Sequence, residues 1–167
     1  MKPEFSRPFD VRQVEGKLVT LLANDQERLA LAARFALVRI DRLEAKVELH
    51  RDGPTVKAAG TLEADIVQSC AVSAEDLPVI IREAVAFRFM PEGRPHQPDE
   101  EIELGADELD EIPFSGAEID LGEAVAQSLA LAIDPFAVGP EAEEARRLLD
   151  DGSSNPFSAL AALKKKD

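Results

Sequence analysis

The chain has 167 residues and a formal net charge of −14, and 45% of its residues are hydrophobic. That hydrophobic fraction excludes a wholly disordered chain, and a single cysteine excludes both an intramolecular disulfide and a thiolate metal cluster. The sequence has no apolar run of bilayer-spanning length and no signal-peptide pattern, so it predicts a cytoplasmic protein that makes no membrane contact.

Four segments have the apolar runs or the alternation of β-strands, and they span residues 17–23, 37–51, 56–69 and 78–90. The second segment slips in phase near residues 41–42, which predicts a β-bulge. A turn signal at residues 51–54 joins it to the third segment, and the two are expected to form a long hairpin. In the fourth segment Val85, Phe87 and Phe89 share one face, which favours core packing over base stacking.

Capping patterns predict helices among and after these strands. Asn24 and Glu27 form a capping box at the start of a helix over residues 25–35. Asp120 begins an apolar helix in the same way, and Pro135 ends it. Strands with inserted and appended helices, without regular β-α-β alternation, predict an α+β fold. We expect a mainly antiparallel meander sheet, with a partly closed barrel as the alternative.

The charge distribution divides the chain into a core and a flank. Residues 92–151 contain 18 acidic residues and three arginines, a balance of −15, whereas the other 107 residues sum to +1. Prolines and acidic residues predict a mobile acidic loop over residues 91–117, inside one α+β domain of residues 1–136. Residues 137–167 are expected to be a charged linker and helix followed by an amphipathic C-terminal helix. That last helix begins at Asn155-Pro156-Phe157 and ends in Lys164, Lys165 and Lys166.

No residue pattern predicts catalysis, a metal ion or a cofactor. Cys70 has no identifiable base and continues the apolar face of the strand before it, so a buried small hydrophobic residue is favoured over a nucleophile. His50 and His96 lack metal-ligand spacing, and the acidic residues of segment 99–111 lack the pattern of a calcium loop. The glycines are isolated, without the lysine-serine pair of a phosphate-binding loop. The sequence therefore predicts a protein that is not an enzyme.

Basic residues on the predicted strands suggest a surface that contacts phosphate. If the strands are neighbours in the sheet, these residues come close together. Against this, Arg42, Glu44, Lys46 and Glu48 alternate in sign, as cross-strand ion pairs do. The candidate RNA-binding residues are Arg39, Arg42, Lys46, Arg82 and Arg88, with Lys164, Lys165 and Lys166 assisting.

Three motifs follow one another in an order typical of one family. The first is Gly60–Cys70, followed by Phe87–Pro91; the second is Glu118–Gly122 with Leu129–Pro135; the third is Asn155–Lys164. Together they resemble the YceD family, the large ribosomal RNA subunit accumulation proteins of bacteria and plastids. The residues that stand at motif positions are Cys70, Asp120, Leu121, Asn155, Pro156 and Phe157.

The resemblance implies a non-enzymatic role in the accumulation of 23S ribosomal RNA, through the precursor RNA or an early large-subunit particle. Many members have a Cys-x-x-Cys motif where this chain has Cys70 and Ser73, so the pair is incomplete here. The alternative is an adaptor whose acidic segment 99–111 binds a basic ribosomal protein of the large subunit. The sequence leaves direct RNA contact and contact through a protein both open.

Overall fold

The structure is a computed structural model that describes residues 2–93 and 110–150, with side chains as far as residue 148. The strands are β1 (Pro8–Asp10), β2 (Lys17–Leu22), β3 (Arg39–Asp52), β4 (Thr55–Ser69), β5 (Asp76–Pro91), β6 (Asp110–Phe114) and β7 (Glu118–Asp120). The helices are α1 (Asp25–Arg34), α2 (Leu121–Ala132) and α3 (Ala142–Asp150), with a short 3-10 turn at Val11–Gln13.

The described strands form two sheets. Strands β1 and β7 pair antiparallel, and β2 to β6 form a five-stranded sheet in chain order. Strand β3 is antiparallel to both β2 and β4, whereas β6 runs parallel to β5. The α+β prediction is confirmed, and in the described residues the larger sheet is open rather than closed into a barrel.

The β3–β4 hairpin has the predicted bulge. The register shifts between Ile40 and Arg42, which moves the outward-facing positions of β3 from odd to even numbers. Gly60 on β4 lies opposite Val47, and a Cβ atom there would lie 1.8 Å from the carbonyl oxygen of Lys46. Only glycine therefore permits this close approach of the two strands.

The core lies on one face of the larger sheet. Alternate side chains of β3, β4 and β5 join the buried side chains of α1 and α2 in one hydrophobic cluster. Phe87 and Phe89 are buried in it, with ring centroids 6.1 Å apart, so both are core residues. The other large members are Phe5, Leu31, Leu43, Leu49, Leu62, Ile66, Ile119, Leu121 and Leu129.

Strand β6 corrects one part of the sequence analysis. The sequence predicts residues 110–114 as part of the acidic loop, yet they pair with residues 87–91 of β5. Ile112 and Phe114 pack against the core from this strand, directly after the acidic residues Asp110 and Glu111. Pro113 is tolerated because β6 is an edge strand. The part of the predicted loop at residues 94–109 lies outside the described residues.

The capping box of α1 forms as predicted and is extended by an ion pair. Asn24 Oδ1 accepts from the backbone N–H of Glu27, and Glu27 Oε2 accepts from the backbone N–H of Asn24, both at 2.9 Å. The Arg7 guanidinium donates to both carboxylate oxygens of Glu27, at 2.7 and 2.9 Å. This bidentate pair holds the pKa of Glu27 below its usual value and connects the N-terminal segment to α1.

The Asp120 carboxylate connects the same segment to α2. Asp120 Oδ2 accepts from the Ser6 hydroxyl at 2.6 Å, and Oδ1 accepts from the backbone N–H groups of Arg7 at 2.8 Å and Glu123 at 3.1 Å. The bond from Glu123 caps the helix. One carboxylate thus closes the start of α2 and holds two residues of the N-terminal segment.

The residues after Asp120 complete this attachment. Leu121 is fully buried, and its N–H donates to the carbonyl oxygen of Arg7 at 3.1 Å. A Cβ atom at Gly122 would lie 2.5 Å from the carbonyl oxygen of Phe5, so a side chain there would displace the N-terminal segment. The Asp120-Leu121 motif therefore has a structural role.

The chain divides into two compact units, which we describe separately. The first contains residues 2–68 and 78–134 and holds both sheets, α1 and α2. The second consists, in its described part, of residues 69–77 and 135–150, including α3. In the second unit the backbone N–H of Ala71 donates to the carbonyl oxygen of Ala137 at 3.0 Å.

Replacing Asp120 with alanine is expected to lower the free energy of unfolding by about 2–4 kcal/mol, because a helix cap and two further hydrogen bonds are lost. Urea denaturation followed by circular dichroism measures the change. Glu118→Ala, an exposed change on the same strand, is the matched control and should cost less than about 0.5 kcal/mol. Equal stability of the two variants would contradict the role given to Asp120.

Candidate nucleic-acid interface

The candidate interface is the outward face, by which we mean the side chains of β3, β4 and β5 that point away from the core. After the bulge, β3 contributes the even-numbered residues from Arg42 to His50. Strand β4 contributes the odd-numbered residues from Lys57 to Asp65. Strand β5 contributes even-numbered residues that include Arg82 and Arg88.

On β3, Arg42 holds together two carboxylates that face each other. Glu44 and Glu63 are cross-strand partners, an arrangement that repels without a cation between them. Arg42 donates to both, with a bond of 3.3 Å to Glu63. Its bond to Glu44 holds the pKa of that carboxyl below its usual value and raises the pKa of Arg42. The Lys46 ammonium lies 3.4 Å from Glu44 as well.

Arg39 stands before the bulge and is paired separately. Its Nε donates to Asp41 Oδ1 at 2.9 Å, and both side chains are more than half exposed. All three β3 candidates, Arg39, Arg42 and Lys46, therefore lie within 4 Å of a carboxylate. The sign alternation in the sequence predicted ion pairs, and the structure has them.

Strands β3 and β5 are not neighbours, so the sheet does not bring their basic residues directly side by side. Strand β4 lies between them and brings Glu63 and Asp65 to the outward face. Two strand spacings of about 4.8 Å separate β3 from β5. The five candidate cations on the sheet therefore form two groups with acidic side chains between them.

The β5 arginines are less neutralised than those of β3. Arg82 is exposed and makes no ion pair with any residue in the described ranges. Arg88 is partly exposed, and its Nη1 lies 3.8 Å from Glu111, the residue opposite it on β6. Its Nε is buried without a hydrogen-bond partner among the described residues. Arg82 is thus the most available cation of the five.

Several predicted site residues cannot be placed. Asn155, Pro156, Phe157, Lys164, Lys165 and Lys166 lie outside the described residues. The same holds for most of the acidic segment 99–111, of which only Asp110 and Glu111 are described, on β6.

Cys70 lies in the second unit and is buried, with 4% of its surface exposed. Its Sγ accepts from the backbone N–H groups of Val72, Ser73 and Gly139, at 3.5, 3.4 and 3.3 Å. The Ser73 hydroxyl and these amides stabilise the thiolate and lower the pKa of Cys70 to about 7. The residue that interrupts the Cys-x-x-Cys motif is therefore a hydrogen-bond partner of the remaining sulfur.

The first unit also contains a groove that the sequence does not predict. The groove has a volume of about 1010 Å³ and is lined by residues of β3, β4 and β5, by the end of α2 and by Asp110 at the start of β6. One signal was present: Glu83 occupies an inward position of β5, between the buried Ile81 and Val85. An acidic residue at such a position marks the place where the covering layer ends.

Two further properties concern the described residues alone. They contain no group of three or more His, Cys, Asp or Glu side chains placed to hold a metal ion. None of their helices is long and apolar enough to cross a membrane.

Comparison with known proteins gives one match. Residues 58–164 match the family described as "Large ribosomal RNA subunit accumulation protein YceD". The matched region is more than half of the chain and includes Cys70, Arg82, Arg88 and Asp120, whereas β3 lies before it. No curated protein and no solved structure matches the chain. The resemblance found in the sequence is confirmed.

The thiol of Cys70 is expected to titrate with a midpoint at about 7 instead of 9.0. Thiolate absorbance in the ultraviolet measures this directly, because the chain has one cysteine and no tyrosine or tryptophan. Ser73→Ala should raise the midpoint, and Cys70→Ser gives the baseline. The pKa of Cys70 is lower in the folded than in the unfolded protein, so ionisation of this thiol should raise the free energy of unfolding as the pH rises from 7 to 9. This contribution should be lost as the pH falls through 7. A wild-type midpoint near 9.0 would contradict the hydrogen bonding described.

Proposed function

Because the chain belongs to the YceD family of large ribosomal RNA subunit accumulation proteins, we propose that it is a non-enzymatic factor that binds precursor 23S ribosomal RNA or an early large-subunit particle. The family description concerns accumulation of the RNA; the binding step is our proposal. The outward face of the sheet is the surface that we assign to it.

The assignment of this surface depends on one observation, the exposure of the Arg82 side chain and its lack of an ion pair among the described residues. An exposed guanidinium without an ion pair among the described residues is free to bind phosphate in a bidentate manner. Arg82 also lies within the matched region, as does Arg88 on the same strand. Phosphate contacts of this kind hold a protein on RNA without specifying sequence.

The ion pairs on β3 reduce the affinity of this face without preventing contact. Exposed ion pairs contribute only about 0–1 kcal/mol, so a phosphate group can compete for Arg39, Arg42 or Lys46. Each such exchange leaves an unpaired carboxylate close to the RNA, and its repulsion of the phosphates lowers the gain in binding free energy. We therefore expect modest affinity that depends strongly on salt.

The acidic composition of the chain is compatible with this role. A net charge of −14 repels nucleic acid at long range and suppresses nonspecific binding. A few exposed arginines then act only where a partner surface fits them. Such a factor would bind RNA weakly in general and bind more tightly to an assembling particle.

Charge reversal on β5 tests the assignment. The double variant Arg82→Glu, Arg88→Glu should weaken binding to a precursor 23S fragment and reduce the slope of log affinity against log salt by about 1.5, as expected for two lost phosphate contacts. Filter binding across a salt series measures both quantities. In cells that depend on the variant, the ratio of 23S to 16S RNA should fall.

The matched control is Arg12→Glu, Arg51→Glu, which makes the same charge change at exposed positions off the outward face. If the two double variants lose affinity equally, general electrostatics explains the binding and the assignment is wrong.

Removal of the carboxylates that compete with RNA for Arg42 should raise the RNA affinity, whereas charge reversal on β5 should lower it. Glu44→Gln, Glu63→Gln frees Arg42 and removes two negative charges from the outward face, so RNA affinity should rise several-fold. Glu92→Gln, Glu118→Gln makes the same charge change elsewhere and serves as the control. An unchanged affinity in the first variant would exclude β3 from the interface.

A further inference from the structure

Among the residues that the structure describes, one edge of β5 is largely uncovered. Strand β6 pairs only with residues 87–91. Among the described residues, positions 78–86 of β5 have no strand on the side away from β4. Their backbone N–H and C=O groups on that side are available to an added strand.

The groove reaches this edge at Asp110 and extends across β5 to residues of β4 and β3. Its lining combines small side chains of β4 and β5 with the end of α2. Leu131 on α2 is 81% exposed at its rim, and Ala84 and Ala86 leave room for a close backbone approach. An apolar groove next to unpaired backbone groups has the two features that strand addition requires: hydrogen bonds for affinity and pockets for alternate side chains.

The charges that remain unpaired in the groove are negative. Lys57 lies 3.1 Å from Asp52, and His50 lies 3.1 Å from Glu48. Glu83 and Asp110, in contrast, make no ion pair with any residue that the structure describes. A ligand with positive charge would therefore complement the groove.

We infer that this groove binds an extended basic peptide segment of a partner protein, which adds a strand to the open edge of β5. Alternate apolar side chains of the peptide would pack against Val85 and Leu131. Its basic side chains would lie near Glu83 and Asp110. The groove shares the outward positions of His50, Lys57, Ala84 and Ala86 but contains neither Arg82 nor Arg88, so the inference does not depend on the RNA contact.

Charge disfavours two other occupants. Residues 94–109 of the chain contain six acidic residues and one arginine, so they would bring like charge to Glu83 and Asp110. A second copy of the chain would bring a net charge of −14. The groove therefore fits a basic partner better than it fits either.

The test uses the full chain and a labelled octapeptide of alternating lysine and valine. Fluorescence anisotropy measures its affinity at low and moderate salt. A glutamate–valine peptide controls for charge. A lysine–valine peptide with alternate backbone nitrogens methylated controls for the strand hydrogen bonds, since it keeps every side chain. The lysine–valine peptide should bind at least ten times more tightly than either control.

Two protein variants locate the binding. Leu131→Ser should weaken the peptide affinity at least tenfold, whereas Leu29→Ser should not, although Leu29 is also an exposed helical leucine, at 75%. Glu83→Gln, Asp110→Asn should weaken binding more than the control pair Glu92→Gln, Glu118→Gln. Both exposed leucines can be replaced without opening the core.

The inference is overturned if the lysine–valine peptide does not bind, which is also the result expected when another part of the chain or a second copy fills the groove. It is equally overturned if the methylated peptide binds as well, or if Leu29→Ser weakens binding as much as Leu131→Ser. Because these variants leave Arg82 and Arg88 unchanged, RNA binding should persist in them, and the two proposals can fail separately.

Discussion

The hydrogen bonds of the Asp120 carboxylate hold the first unit together at its N-terminal end. They cap α2 and fix Ser6 and Arg7, and the small β1–β7 sheet continues from the same residues. Arg7 then reaches Glu27, which belongs to the capping box of α1. Through this short chain of polar contacts, the N-terminal segment connects both helices that cover the sheet, and the sheet can present its other face outward.

The outward face is close to neutral because nearly every cation on β3 is paired. Arg42 is placed between two carboxylates that would otherwise repel across the hairpin, so part of its charge is used to stabilise the sheet. A surface of this kind binds phosphate weakly. Arg82 differs because β5 places it outward without a partner among the described residues, which gives the proposed RNA contact one well-defined centre.

The uncovered edge of β5 offers a second kind of contact, through backbone hydrogen bonds and apolar side chains. Among the described residues, β5 extends beyond the part that pairs with β6, so backbone groups, apolar side chains and the carboxylates of Glu83 and Asp110, which have no ion pair there, lie together beside α2. A protein that acts as we propose would encounter both RNA and basic proteins. The two surfaces of β5 would allow this chain to contact both, one through arginine and the other through a strand edge.

The sequence by itself determined the local structure and the family. The capping box at Asn24, the N-cap at Asp120, the bulge near residues 41–42 and the hairpin after it were all predictable, because caps, turns and alternation are set by neighbouring residues. Only the tertiary structure decided that residues 110–114 form β6 and that β6 pairs with β5. Strand order and nonlocal pairing depend on which surfaces are buried together, and acidic neighbours concealed Ile112 and Phe114. The availability of Arg82 and the groove at Glu83 follow from those nonlocal contacts, so neither could be read from the spacing of residues along the chain.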